Sequence, residues 1–350
     1  MTNTVSFIQK ARSYEKDRPR VKLADKLPLT MPFSIQIDPS NLCNFKCRFC
    51  PTGHPDLIKQ VGRSRGRLMS WALYEKLINE ISIFPEPLKI LSLHKDGEPL
   101  VNPRIVDMVD LARRKQVADR VGILTNAALL DREMSIGLIE AGLDVIRISV
   151  EHVTREGYQN ITGKFSDYEK IVRNVAVLKE EAERRNSQLY IVTKLIDLGL
   201  SKVELEKFEQ DFSASCHEIG RTTVQGWSLS EIYDFTLGTN PQFSLDGKTA
   251  LKTGRITCPY PFYTLAVNAD GAVSPCSDDW SHKAAVGDSN TETLQEIWSG
   301  RRMHDFRMMH LTDERHCNDA CRNCHCLQGV AEDSDLDFDR ERLISIFGSR

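Results

Sequence analysis

The segment 38–51 reads DPSNLCNFKCRFCP and places three cysteines, Cys43, Cys47 and Cys50, in the spacing C-x3-C-x2-C. It follows the apolar run 33–37, so the thiols fall in a loop after a predicted first strand. A structural zinc site needs four ligands in a closed tetrahedron, and a triplet lacks one of them. A [4Fe-4S] cluster on three thiolates keeps one iron free for another ligand. The spacing therefore favours a catalytic iron–sulfur cluster over zinc or incidental buried thiols.

This triplet, with the aromatic Phe49 before its last cysteine, resembles the signature of the radical S-adenosylmethionine superfamily. The resemblance implies that the free iron is chelated by the amino and carboxylate groups of S-adenosylmethionine and that Phe49 lies at the cofactor. It further implies that an electron enters the sulfonium and that a 5′-deoxyadenosyl radical abstracts hydrogen from the substrate.

A second similarity follows the second predicted strand, where Gly97, Glu98 and Pro99 resemble the GGE motif of that superfamily. The first glycine of the motif is replaced here by Asp96. The resemblance implies that Glu98 binds the ammonium group of S-adenosylmethionine, where a carboxylate supplies charge-assisted hydrogen bonds.

Polar residues also end the next three predicted strands, where the active sites of barrels assemble. By resemblance, Ser149 and Lys194 hold the ribose and carboxylate of S-adenosylmethionine, and Asn126 lines the pocket. A serine at a strand end can equally be a cap or turn residue. Lys194 stands in an apolar run and is costly to bury without an anionic partner.

Four cysteines near the C-terminus, Cys258, Cys276, Cys321 and Cys324, follow the spacing C-x17-C, then x44, then C-x2-C. This pattern resembles the twitch module, the shortened form of the SPASM domain, and implies a second, auxiliary [4Fe-4S] cluster. A four-cysteine zinc ribbon has overlapping ligand chemistry and remains the alternative.

Three further cysteines have no assigned ligand role. Cys317 and Cys326 flank the last pair, and their roles stay open. Cys216 stands alone after residues 212–215. A buried thiol usually acts as a small hydrophobic side chain, and the functional alternative is a hydrogen-atom donor facing the substrate.

Short apolar runs alternate with amphipathic stretches, which is typical of parallel βα units. The predicted strands are 33–37, 88–93, 121–124, 145–150 and 189–196; the predicted helices include 71–83, 105–114 and 293–309, and a hairpin spans 263–276. The predicted fold class is α/β: a partial (β/α)6 TIM-like barrel with a small C-terminal cysteine-rich auxiliary-cluster domain. No strand is placed between 213 and 254.

Four segments are predicted. They are an N-terminal extension (1–32), the barrel (33–250), the auxiliary-cluster domain (251–330) and a C-terminal tail (331–350) that is solvated or packs on the fold.

The 350 residues carry 46 basic and 49 acidic side chains, a formal net charge of -3. This balance provides no long-range field for nucleic acid or an anionic membrane, so neither is an expected partner. Residues 1–20 have no apolar signal-peptide core, and no run approaches the roughly 18 apolar residues of a membrane span. We therefore expect a cytoplasmic protein, whose ten cysteines serve metal binding or catalysis rather than disulfides.

The GEPL element at 97–100, the four-cysteine spacing and the CRNC stretch at 321–324 are similar to those of the twitch-containing 2-deoxy-scyllo-inosamine dehydrogenase family. The resemblance implies a sugar, nucleotide sugar or aminocyclitol substrate, dehydrogenation of a carbinol carbon to a ketone, and an electron donor such as flavodoxin or ferredoxin.

Other outcomes stay open. They are epimerisation or another redox-neutral radical reaction on a sugar, peptide modification, and a non-enzymatic zinc-binding interaction protein. Peptide-modifying enzymes often carry an added recognition domain, for which the roughly 32 residues before the first strand leave no room.

Overall fold

The computed structural model describes residues 21–163, 167–244 and 249–349. The first 20 residues, on which the signal-peptide expectation rests, lie outside the described residues. Among the described helices, none combines the length and apolar character needed to cross a membrane.

One nine-stranded sheet runs through the described chain in the order β6-β5-β4-β3-β2-β1-β7-β8-β9. The strands are β1 Ser34–Ile37, β2 Ile90–Ser92, β3 Val121–Thr125, β4 Val145–Val150, β5 Tyr190–Ile196, β6 Glu218–Thr222, β7 Thr264–Val267, β8 Ala272–Ser274 and β9 Gly287–Asp288. The first six pair in parallel, which confirms the predicted partial barrel.

Within the described residues, ten α-helices connect or cover these strands. They are α1 Pro55–Gln60, α2 Trp71–Ile81, α3 Ile105–Arg114, α4 Arg132–Glu140, α5 Arg155–Thr162, α6 Tyr168–Arg184, α7 Lys202–Phe212, α8 Leu294–Ser299, α9 Arg301–Leu311 and α10 Arg340–Gly348. The predicted bounds of α3 are confirmed, and α2 ends two residues earlier than predicted.

The two faces of the sheet differ in chemistry because side chains alternate along each strand. Ile35, Ile37 and Leu91 are fully buried in the core that the outer helices cover. Gln36 and Ser92 are register partners and lie on the opposite, inner face. Near the carboxyl end of each strand, every second side chain therefore points into the interior of the barrel.

The sixth strand, which the sequence did not place, is β6. Its residues are at most partly buried, so it lacks the continuous apolar run that marks a central strand. Its pairing with β5, from Val192↔Glu218 to Ile196↔Thr222, is what makes it a strand.

The predicted hairpin is confirmed: β7 and β8 are antiparallel, with Ala266 opposite Ser274. Strand β7 also pairs in parallel with β1, with Ser34 opposite Thr264. The cysteine-rich region is thereby continuous with the barrel sheet, next to the strand that carries the first cysteine loop.

The single helix predicted over 293–309 is wrong, because two helices, α8 and α9, meet at Gly300. This residue has extended backbone angles (φ -74°, ψ 162°), which interrupt the helical hydrogen-bond ladder. A Cβ at this position would lie 2.6 Å from the Glu296 carbonyl oxygen, so the break also depends on glycine.

The C-terminal tail packs on the fold. Leu343 and Phe347 of α10 are buried against Leu23, Phe262 and Leu311, so the chain's two described ends meet in one apolar cluster.

Candidate active site

The first cysteine loop is held against α5 by its own backbone. Lys46 and Arg48 donate backbone N–H bonds to the carbonyls of Thr162 (2.8 Å) and Ile161 (3.0 Å). Within the loop, the Cys50 N–H donates to the Cys47 carbonyl at 3.1 Å. The turn brings the three predicted ligands into one region with their thiols largely withdrawn from solvent.

The electrostatics of the three thiols suit a metal cluster. Burial raises the pKa of Cys43 to about 12 and also raises the pKa values of Cys47 and Cys50, and the charge of Glu151 adds to the rise at all three thiols. Thiolates are therefore costly here unless a cation compensates them, as bound iron does.

Among the described residues, no group of three His, Cys, Asp or Glu side chains is arranged around a single metal ion. A [4Fe-4S] cluster does not need its protein ligands to converge on one ion, because each thiolate binds a different iron. The loop therefore fits a cluster with three protein ligands.

Gly97 and Glu98 contact this loop directly. The Glu98 N–H donates to the Leu42 carbonyl at 2.8 Å, and a Cβ at Gly97 would lie 2.4 Å from the same oxygen. Pro99 opens a short 3-10 turn capped by the Glu98 side chain, which accepts from the Leu100 N–H. Glycine is required because the backbones approach closely, and the turn aims the carboxylate inward.

The Glu98 carboxylate is 3% exposed and held by the end of β3. Its Oε1 accepts from the Thr125 hydroxyl at 2.6 Å, and its Oε2 accepts from the Asn126 N–H at 2.8 Å. Burial raises its pKa to about 7 despite these hydrogen bonds. A cationic ligand would restore the charged form.

Asn126 links this carboxylate to the cluster loop. Its Nδ2 donates to Asn44 Oδ1 at 2.7 Å and lies 4.0 Å from Cys43 Sγ. The predicted pocket position of Asn126 is therefore beside the first cysteine of the triplet.

Ser149 and Lys194 lie in the same row of the sheet as Asn126. Ser149 pairs with Lys194 in the register of β4 and β5, and Thr125, just before Asn126, pairs with Ile148. The carboxyl ends of three neighbouring strands thus bring together three predicted cofactor residues.

Phe49 is partly buried against the main core, and its backbone carbonyl accepts from the Trp227 indole N–H at 3.1 Å. This contact ties the cluster loop to the chain that follows β6.

Glu151 is among the polar residues that end the predicted strands, but the sequence predicted no role for it in the site. It is 4% exposed, and its Oε2 has no hydrogen-bond partner within the part of the chain that the structure describes. Burial, and then the charge of Glu98, raise its pKa to about 8. Two buried carboxyls near three thiols suit a cofactor that carries an ammonium and a sulfonium. Because side chains alternate along a strand, Glu151, two residues after Ser149, is expected to point inward as Ser149 does. The sequence therefore contained a signal for Glu151.

Cys216 is separated from this group. Its Sγ lies 2.9 Å from the hydroxyl of Thr193, which is fully buried. Thr193 precedes Lys194 on β5, so the two side chains project to opposite faces of the sheet. The Cys216 thiol is therefore on the helix-covered side, and burial raises its pKa to about 12.

A cavity in the C-terminal region is lined by five cysteines. They are Cys258, Cys276, Cys321, Cys324 and Cys326. The first four are the predicted ligands of the auxiliary cluster, and burial raises the pKa of the Cys276 and Cys321 thiols well above the usual value. Four thiols around one enclosed space fit a closed [4Fe-4S] site.

Cys326 is one of the three cysteines to which the spacing argument assigned no ligand role. It is 5% exposed, and its Sγ accepts from the Gln225 side-chain amide at 3.0 Å. Its position two residues after Cys324 was the available signal. Cys317, by contrast, is exposed.

Comparisons with known proteins agree with both cysteine sites. Residues 37–199 match the model of the radical SAM superfamily, and residues 258–325 match an iron–sulfur cluster-binding domain, SPASM. The first range contains the Cys43 loop, and the second contains four of the five cysteines that line the cavity, all except Cys326. The two domains imply S-adenosylmethionine, a catalytic [4Fe-4S] cluster and auxiliary iron–sulfur binding.

Three curated proteins illustrate the range of relatives. The S-adenosyl-L-methionine-dependent 2-deoxy-scyllo-inosamine dehydrogenase of Niallia circulans is 23% identical, over 83% of this chain and 92% of that protein. A tungsten-containing aldehyde ferredoxin oxidoreductase cofactor-modifying protein of Pyrococcus furiosus is 32% identical over 33% of this chain, and a GTP 3′,8-cyclase of Chlorobaculum tepidum is 28% identical over 40%. The chain matches only 30% and 39% of the lengths of these last two proteins.

Solved structures share the fold. BtrN in complex with AdoMet and 2-DOIA is 18% identical and superimposes with a TM-score of 0.54, over 87% of this chain and 98% of that chain. Streptococcus suis SuiB bound to its precursor peptide SuiA is 13% identical with a TM-score of 0.59, over 82% and 69% of the two chains. With both cysteine sites in place, the chain contains a radical SAM domain over residues 37–199 and a C-terminal iron–sulfur cluster-binding SPASM domain over residues 258–325.

Proposed function

We propose that this radical S-adenosylmethionine enzyme is an oxidoreductase that dehydrogenates a carbinol carbon of a sugar, nucleotide sugar or aminocyclitol. The observation that carries the proposal is the second cysteine-lined cavity, in a region whose strand β7 pairs with β1. Dehydrogenation by hydrogen abstraction leaves a surplus electron, for which a closed cluster is a suitable acceptor. The similarity to the Niallia circulans dehydrogenase over 92% of its length supports the same reaction.

When bound, the cofactors supply a hydrogen-abstracting 5′-deoxyadenosyl radical at the first site and an electron acceptor at the second. The substrate carbinol loses one hydrogen atom, and the resulting substrate radical then loses one proton and one electron. The product is a ketone with two hydrogens fewer than the substrate. One external electron per turnover starts the cycle, and a flavodoxin or ferredoxin is the proposed donor.

The protein's part in this chemistry is to hold and shield the reactants. The proposed roles of Glu98 and Glu151 are to accept hydrogen bonds from the ammonium of S-adenosylmethionine and to balance its positive charge. Asn126, Ser149 and Lys194, in one row of the sheet, are assigned to the pocket wall, the ribose and the cofactor carboxylate. The barrel interior excludes water and stray hydrogen donors around the radical.

The test begins with anaerobic reconstitution and iron counting, for which the proposal predicts about eight irons per chain. The loaded enzyme is then incubated with dithionite, S-adenosylmethionine and a panel of sugars and cyclitols. Release of 5′-deoxyadenosine together with a product lighter by two hydrogens supports the proposal.

The other outcomes separate the alternatives. A product of unchanged mass with inverted configuration would establish epimerisation instead. Turnover of a peptide would replace the proposed substrate class, and the solved structure of SuiB bound to precursor peptide SuiA is the reason to include peptides in the panel.

A further inference from the structure

Three charged side chains, Arg63, Lys95 and Asp96, are buried together between the barrel and the C-terminal region; we call them the ionic bridge. Their side chains are 7%, 0% and 7% exposed. The Asp96 carboxylate accepts from both cations at 2.8 Å, Oδ2 from Arg63 Nη1 and Oδ1 from Lys95 Nζ. One carboxylate therefore pairs with two cations away from solvent.

Both cations also contact the backbone beside the auxiliary cavity. Lys95 Nζ donates to the Asp279 carbonyl at 3.2 Å, and Arg63 Nη1 donates to the Trp280 carbonyl. Asp278, the residue before Asp279, lines the five-cysteine cavity and follows Cys276 by two residues. One end of the ionic bridge is thus fixed to the wall of the auxiliary-cluster site.

The other end is fixed to the catalytic-cluster loop. The backbone carbonyl of Asp96 accepts from the hydroxyl of Thr52, which is 5% exposed and follows Cys50 by two residues. On the other side, Asp96 precedes Gly97 and Glu98, which contact the same loop. Asp96 is therefore connected to the catalytic-cluster loop through Thr52 and to the wall of the auxiliary-cluster site through Lys95 and Arg63.

Such a bridge is better suited to fixing a position than to adding stability. Three charges lose their hydration on burial, and an apolar contact of similar volume stabilises as well or better. The charged groups instead fix a relative orientation, because each cation donates hydrogen bonds to a carboxylate oxygen and a carbonyl oxygen at defined positions. The GGE motif that this turn resembles has a glycine at the position of Asp96. A glycine offers no carboxylate and cannot form the bridge.

We infer that Asp96 is a positioning residue that, through Lys95 and Arg63, sets the placement of the auxiliary-cluster site relative to the catalytic-cluster loop. The consequence for turnover rests on the proposed dehydrogenation: the bridge determines how efficiently the electron of the substrate radical is taken up after hydrogen abstraction.

The test uses the fully reconstituted enzyme and its Asp96→Asn variant. A misplacement of about 1 Å can cost on the order of 100-fold in rate, so we expect ketone formed per 5′-deoxyadenosine to fall about ten-fold or more. The second readout needs no turnover. In the doubly reduced enzyme, the magnetic interaction between the two clusters, measured by EPR relaxation, should weaken in the variant.

Glu181→Gln is the matched control. The Glu181 side chain is 1% exposed and pairs with Arg132 and Arg185, neither of which belongs to a cysteine site. This variant also breaks a buried ionic group, so it should lower stability while leaving the product ratio and the cluster interaction at wild-type values.

The inference is overturned if Asp96→Asn, with both clusters loaded, keeps the wild-type product ratio and cluster interaction, or if Glu181→Gln changes them equally. If Asp96→Asn does not load iron, Lys95→Met takes its place under the same criteria, because it removes the contacts of Lys95 with Asp96 and Asp279 and leaves the Arg63–Asp96 pair. A wild-type enzyme that makes no ketone would end the proposed function, and the EPR comparison alone would then decide the positioning role.

Discussion

The carbonyl oxygen of Ser40 occupies the space that a side chain at Gly97 would need: a Cβ there would lie 2.0 Å away. Gly97 is therefore fixed by the approach of the cysteine loop to the turn that carries Glu98. Gly97→Ala must displace one of the two backbones, and overpacking of this kind costs about 1–3 kcal/mol. We expect reduced stability and at least a ten-fold loss of 5′-deoxyadenosine formation, measured with iron content and thermal unfolding.

The control for this change is Gly348→Ala at the end of α10. No heavy atom lies within 4 Å of a Cβ at Gly348, so this substitution should leave cluster loading and cofactor cleavage unchanged. Equal effects of the two substitutions would refute the steric account of Gly97.

Removing one ligand of the catalytic loop should abolish one cluster alone. We expect Cys47→Ala to lose about four of about eight irons and all cleavage of S-adenosylmethionine, because a triplet has no spare ligand. Iron analysis and EPR of the anaerobically reconstituted protein measure the loss. Retention of cofactor cleavage would sink the assignment of this site.

The five-cysteine cavity makes a different prediction, since a [4Fe-4S] cluster uses four of its thiols. Cys276→Ala should lose the auxiliary cluster while cofactor cleavage continues without ketone formation. Cys326→Ala should retain about eight irons, because the four predicted ligands remain. Loss of about four irons in Cys326→Ala and not in Cys324→Ala would exchange the roles of these two cysteines.

Cys216 gives a prediction about the reaction outcome. Because its thiol is bonded to Thr193 on the helix-covered face, Cys216→Ala should not change the product or the uptake of solvent deuterium. If the wild-type enzyme places solvent deuterium on the substrate carbon and the variant does not, Cys216 has a hydrogen-donor role instead.

The pH dependence of stability should report on Asp38, at the end of β1. Its side chain is fully buried, and burial, with the charge of Asp96, raises its pKa from the usual 3.8 to about 8. Between these values the folded chain holds a proton that the unfolded chain has lost, so this group's contribution to stability falls as pH rises from about 4 to about 8. The slope is at most about 1.4 kcal/mol per pH unit.

Asp38→Asn removes this titration. Urea unfolding of the cofactor-free chain at several pH values, kept anaerobic and reduced, should therefore show a flatter profile for the variant than for wild type. Parallel profiles would show that Asp38 does not titrate in this range.

Much of the site was readable from residues close together in the chain. The Cys43 triplet, the Gly97-Glu98-Pro99 turn and the last cysteine pair are local patterns whose chemistry depends on spacing. The strands β1 to β5 and helix α3 were predictable for a related reason, since apolar periodicity reflects which face each segment buries. Asp38 and Glu151 follow the same periodicity but needed their burial to stand out.

Tertiary structure decided the features that join distant segments. The ionic bridge unites residues 63, 95 and 96 with 279 and 280, and β7 reaches β1 across some 230 positions of the chain. Strand β6 has no apolar run and exists through pairing, and the Cys216 thiol was placed by the face of β5 on which Thr193 lies. Spacing along the chain specifies which atoms can bind iron. Only packing, where strands separated in sequence share one sheet, determines which of these groups meet and how the two cysteine sites face each other.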